Sequence, residues 1–152
     1  MHIVLFQPEI PPNTGNVARL CAATKTTLHL IEPLGFNIDD KHVKRAGLDY
    51  WPHVDLHVWP GWYAFMREVG SHVRLVLTSA RAGTAIQDFA FSSGDALVLG
   101  PESRGLPADM VAEHEHVVRI PIWGEVRSLN MSTAAGIVLY QALANAGELT
   151  GR

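Results

Sequence analysis

Short apolar runs recur along the chain, at Ile3 to Phe6, Leu28 to Ile31, Val54 to Trp59, Arg74 to Thr78, Ala96 to Leu99 and Val117 to Ile122, and each reads as a β-strand. Between most of them the pattern turns helical. Asn16 to Lys25 sets Val17, Leu20, Cys21 and Thr24 on one face; Asp39 is placed to cap Lys41 to Ala46; Gly61 to Val69 and Pro107 to His114 are shorter helical stretches. Strand and helix therefore alternate. That predicts an α/β fold, a mostly parallel sheet with helices on both faces, because parallel strands need crossover connections. The last segment, Met131 to Ala146, is apolar nearly all round and must be covered on most sides. A partner subunit and a central place in the core would both supply that cover.

At 152 residues, with 47% hydrophobic and 18% charged positions, residues 1–152 are expected to form a single globular domain. Met1-His2 leads straight into Ile3-Val4-Leu5-Phe6, a run too short for a signal peptide or a membrane span, so a cytoplasmic protein is expected. Cys21 is the only cysteine, which excludes an intrachain disulfide; its helical spacing suits a packed core thiol. The formal charge of −3 argues against a general nucleic-acid coat but leaves room for a local basic site. Lys41, His42, Lys44 and Arg45 make one basic run, readable as a phosphate grip or as a solvated helix face.

In a parallel sheet ligands bind beyond the carboxyl ends of the strands, so the loops there are where chemistry is sought. The first is Gln7-Pro8-Glu9-Ile10-Pro11-Pro12-Asn13-Thr14-Gly15-Asn16, and the helix after it carries Arg19 in its expected first turn. Asn13, Thr14 and Asn16 suit helix capping as well as a site. Arg19 opposes the helix dipole there, which calls for an anion from a substrate or from an internal Glu.

The second loop, Gly100-Pro101-Glu102-Ser103-Arg104-Gly105-Leu106-Pro107, has glycines spaced like those of a phosphate loop, but Leu106-Pro107 stands where Lys-Ser/Thr should follow. With two prolines lacking N–H groups and an acid at Glu102, it suits a neutral or cationic ligand such as S-adenosylmethionine. The third loop, Trp123 to Ser132, clusters Arg127, Ser128 and Asn130 between apolar elements, with Asn130 or Ser132 a competent N-cap for the final helix. Of the eight histidines only His114/His116 and His53/His57 are close pairs, and no further ligand completes either, so no metal is expected. No Gly-x-Ser-x-Gly or Gly-x-Gly-x-x-Gly is present.

Taken together the three loops resemble the motifs of the SPOUT superfamily of knotted RNA methyltransferases: Asn13-x-Gly15-Asn16-x-x-Arg19, Leu97-Val98-Leu99-Gly100-Pro101-Glu102-x-x-Gly105-Leu106, and Ile120-Pro121-Ile122 with Ser128-Leu129-Asn130-x-Ser132. The runs Pro8 to Asn16 and Arg45 to Trp51 are similar to those of the tRNA wobble-position 2′-O-methyltransferases. This resemblance implies a C-terminal trefoil knot, S-adenosylmethionine as cofactor, the tRNA anticodon stem-loop as substrate and a homodimer joined through the C-terminal helix. It implies catalytic roles for Arg19, Asn13, Glu102, Ser128, Asn130 and Tyr140, and a cofactor pocket of Thr78, Gly100, Glu102, Gly105, Ile122, Ser128 and Leu129. A guanidinium stays protonated in water, so the role expected of Arg19 is to fix an RNA phosphate and stabilise the developing alkoxide. A methyltransferase acting on ribosomal RNA, a catalytically silent RNA-binding dimer and a small nucleotide-binding domain remain alternatives.

Overall fold

The computed structural model describes residues 1–38 and 49–152. The helix expected over Lys41 to Ala46 with its Asp39 cap, and the basic run of Lys41, His42, Lys44 and Arg45, lie outside the described residues. Within them are strands β1 (His2–Phe6), β2 (Thr27–Ile31), β3 (Leu56–Trp59), β4 (Leu75–Thr78), β5 (Thr84–Ala85), β6 (Ala96–Leu99) and β7 (Val117–Arg119). Four α-helices accompany them: α1 (Pro11–Thr24), α2 (Trp62–Glu68), α3 (Ala108–Glu113) and α4 (Met131–Asn145). The strands form one sheet in the order β3-β2-β1-β6-β4-β7-β5, and every pairing is parallel.

Alternation along the strands sends side chains to opposite faces, and each face meets its own helices. Ile3, Leu5, Leu28, Leu30, Leu97 and Leu99 pack against Val17, Ala18 and Cys21 of α1 and Ala135, Val138, Leu139 and Ala142 of α4. Val4, Phe6, Leu75, Leu77 and Val98 meet Phe65 of α2, with Trp62, Met66, Met110 and Val111 packed around them. The parallel sheet covered on both faces is the architecture the alternating pattern predicts. Cys21 is the core thiol expected, buried so fully that its pKa is pushed up to about 12. The apolar helix α4 is covered by the sheet and by α1, and its remaining side leaves Ile137 and Tyr140 exposed.

Several boundaries differ from the pattern, β3 for instance starting at Leu56 and not at Val54, and one strand, β5, was not expected. β7 stops at Arg119, ahead of Pro121, which has no N–H for a ladder. β5 has two residues, too few to show a period. The largest difference is α1, which begins at Pro11 and not at Asn16. Pro11 and Pro12 take the first two helical positions, where a missing N–H costs nothing. Arg19 therefore sits in the third turn, and the dipole argument for an anion beside it fails.

Candidate active site

At the sheet's ligand edge the start of α1 lacks a local cap, since its N-cap residue, Ile10, offers no side-chain hydrogen bond. The partner is Glu102, in the loop after β6. Its carboxylate accepts from the backbone N–H of Glu9 at 2.8 Å, that of Ile10 at 3.1 Å and Nδ2 of Asn13 at 3.2 Å. A carboxylate at a helix N-terminus is favourably placed against the dipole. The two loops are bound reciprocally: Glu9 accepts from the N–H of Ser103 at 2.9 Å and its hydroxyl at 2.7 Å, bonds that hold the Glu9 carboxyl below its ordinary range. Arg104 adds a bond to Oε1 of Gln7 at 2.8 Å.

Asn13 carries the network on. Its Oδ1 accepts from Nδ2 of Asn130 at 2.9 Å, and Oδ1 of Asn130 caps α4 by accepting from the N–H of Ser132 at 2.9 Å and that of Thr133 at 3.3 Å. One chain of side chains thus runs from the second motif loop through the first to the third. Asn130 is the N-cap that its position suggested, and it also faces the site. Asn13 is no cap at all; it is buried and joins the carboxamide of Asn130 to the carboxylate of Glu102.

Beside this network lies a cavity of about 650 Å³, within the range of small-molecule sites. The loops after β1, β4, β6 and β7 and the first turns of α4 enclose it. Thr78, Gly100, Glu102, Gly105, Ile122, Ser128 and Leu129, the residues that the resemblance assigned to a cofactor pocket, all line this cavity. Asn13 and Asn130 join them. Arg19 and Tyr140 do not line it. Arg19 is exposed on α1, its guanidinium 5.9 Å from the centre of the Tyr50 ring, whose hydroxyl donates to the Gly15 carbonyl at 2.8 Å. Tyr140 is 50% exposed on the outer side of α4.

A Cβ at Gly100 would collide with Gly105 and the N–H of Leu106, so the closure of the second loop requires glycine there. Gly105 has φ of +70°, the left-handed turn that completes the loop. One expectation about this loop needs correction. The charge of Glu102 is engaged by three donors, so it does not provide a free anion for a cationic ligand. The charged side chains left at the cavity wall are Arg81, Arg104 and Arg127. Arg81, in the loop after β4, was not singled out in the sequence, because it stands apart from any motif. Among the described residues no group of three or more His, Cys, Asp or Glu could hold a metal, and no helix is long and apolar enough to cross a membrane.

A parallel sheet whose carboxyl-end loops close on one apolar cavity with a polar rim defines an α/β ligand-binding domain of the kind that works on a bound small molecule. Residues 1–140 match the SpoU rRNA Methylase family, and the chain belongs to it. It is 47% identical over 144 residues to the tRNA (cytidine(34)-2'-O)-methyltransferase of Aeromonas hydrophila, covering 93% of this chain and 92% of that one. The enzyme of the same name from Methylovorus glucosotrophus is 48% identical over 145 residues, 92% of each chain. A protein whose structure was solved for insight into the 2-OH methylation of C/U34 on tRNA superposes with a TM-score of 0.91 at 48% identity, over 99% of this chain and 97% of the other. A SpoU methyltransferase from Streptomyces viridochromogenes, solved with AdoMet, shares the fold with a TM-score of 0.86 at 23% identity, over 100% of this chain and 59% of that one.

Proposed function

We propose that this protein transfers a methyl group from S-adenosylmethionine to the ribose 2′-hydroxyl of the wobble nucleotide of tRNA, cytidine or uridine 34, acting in the cytoplasm as a homodimer. The reading is carried by the 48% identity over 99% of the chain to the protein solved for C/U34 methylation, in a chain whose three motif loops close on one cavity.

The cavity suits the cofactor chemically. Leu99, Leu106, Ile122 and Leu129 offer apolar wall for an adenine ring and a thioether chain, and the rim arginines can meet an α-carboxylate. The loop backbones there supply N–H and C=O groups of both polarities. When bound, the cofactor supplies an electrophilic methyl group. The protein has to orient the ribose and manage charge. Asn13, Glu102 and Asn130 act as positioning residues, locking the three loops together; Ser128, exposed at the rim, is free to bond the ribose. Arg19 fixes a phosphate next to the target and stabilises the oxygen as its proton leaves to phosphate or water.

Arg19 and Tyr140 lie exposed on neighbouring helices and outside the cavity of their own chain, which supports a two-subunit site in which they serve the partner's cavity. The exposed Ile137 and Tyr140 side of α4 is the surface assigned to that contact. The knot implied by the resemblance belongs to this proposal too. The test is transfer of labelled methyl to bulk tRNA, followed by nuclease mapping. Label at a ribose of nucleotide 34 is expected, and label confined to ribosomal RNA would replace this reading with the ribosomal one.

A further inference from the structure

Trp123 is 93% exposed, the most exposed large hydrophobic residue described. Trp51, Trp59 and Trp62 are each partly buried, so the exposure is particular to this position. The ring meets no other aromatic ring among the described residues and leaves on the order of 200 Å² of apolar surface to water. Its place is informative. It follows Ile122, which lines the cavity, and it precedes Arg127, which lines the rim of the same cavity. Arg81 and Arg104 stand on the other rim loops. Glu125, exposed on the loop of Trp123, and Glu102, bonded into the junction of the loops, offset two of these three positive charges.

An exposed indole on the loop that carries the cavity-lining Ile122 and Arg127 matches single-stranded RNA, whose unpaired bases stack on aromatic side chains while Arg takes the phosphates. We propose that Trp123 is a stacking platform for an unpaired nucleobase of the RNA substrate, a positioning residue that holds the strand while the target ribose enters the cavity. Arg127 holds the adjacent phosphate. This rests on the methyltransferase reading above, which identifies the substrate as RNA but assigns nothing to Trp123.

The test compares Trp123→Ala and Trp123→Phe with wild type on an anticodon stem-loop RNA. For Trp123→Ala, KM for the stem-loop is expected to rise about tenfold. Turnover at saturation, cofactor affinity and sedimentation behaviour should stay as in wild type, and Trp123→Phe should recover most of the affinity. Stem-loop RNA should quench the intrinsic fluorescence of wild type, and most of that quenching should vanish in Trp123→Phe. An unchanged KM would overturn the proposal. So would a raised KM accompanied by a change in oligomeric state, which would place Trp123 between copies of the chain. If wild type transferred no methyl to tRNA, the functional reading would fall, and the quenching comparison would still decide whether Trp123 meets RNA.

Discussion

Nδ2 of Asn130 donates to Oδ1 of Asn13 at 2.9 Å, although 117 positions of sequence separate them. This bond joins the N-terminal helix to the cap of the C-terminal one at the floor of the cavity. Asn is suited to it because a carboxamide accepts on one side and donates on the other, and here the donor side meets Glu102.

Removing that two-way link should show in stability. Asn13→Ala leaves Asn130 without an acceptor and Glu102 with two donors, and should cost about 1–3 kcal/mol in urea denaturation. Asn13→Asp should cost more, since a second carboxylate then faces Glu102 where a donor stood. Equal losses in the two variants would mean that the charge of Glu102 does not matter there.

Under the proposed function, variants of Arg19 should separate chemistry from cofactor binding. Because it lies outside its own cavity, Arg19→Lys should lower methyl transfer strongly and leave cofactor affinity nearly intact, as the planar fork is lost and the charge kept. If the site spans two subunits, mixing Arg19→Ala with Leu129→Trp, which fills the cavity, should restore activity that neither has alone. Full activity in Arg19→Ala would discard this role.

The central strands were legible in the sequence because apolar runs in a parallel sheet are buried on both faces, as Ile3 to Phe6 and Ala96 to Leu99 are. The lining residues were legible because Gly100, Gly105, Ser128 and Leu129 fall in loops that end strands. The true start of α1 was not, since its anion comes from Glu102, 93 positions from Glu9. Local capping rules see only neighbours. For the same reason the sequence misplaced Arg19 in a first turn and took the Glu102 charge as free. Arg81 became visible only when folding brought its loop to the cavity, and Trp123 only by its exposure.

Acid should weaken the protein through His29, which is 2% exposed in the middle of β2. Trp59 Nε1 donates to its Nδ1 at 3.1 Å, so a neutral His29 carries its hydrogen on Nε2, facing Nδ1 of His2 at 3.1 Å. A proton added to Nδ1 would confront the indole N–H. Burial, followed by the nearby His2 and His57, pushes the pKa down to about 4 from 6.5, against a smaller opposing pull from Asp55. The unfolded chain therefore takes up a proton at higher pH than the folded one. Stability from this group is whole above pH 6.5 and declines as pH falls towards 4. Urea midpoints across that window should fall more steeply for wild type than for His29→Phe; parallel slopes would assign the acid sensitivity elsewhere.

At the opposite end of the sheet from the cavity, the ion pair of Arg74 and Asp95 holds the starts of β4 and β6. Nε and Nη2 of Arg74 reach the two carboxylate oxygens at 2.8 and 2.6 Å, and Nη2 also meets the Ala90 carbonyl at 2.9 Å. Asp95 is 1% exposed and accepts as well from the N–H of Ser92 at 2.8 Å. Arg74→Met strands that carboxylate in the protein and should cost about 3–5 kcal/mol, whereas the double change Arg74→Met with Asp95→Asn should cost less than Arg74→Met alone, because no buried charge is left unpaired. Cofactor affinity measured below the denaturation midpoint should be unchanged in both, since neither residue lines the cavity. A double variant as unstable as Arg74→Met would show that the hydrogen bonds to Ala90 and Ser92, and not the charge pairing, hold this edge together.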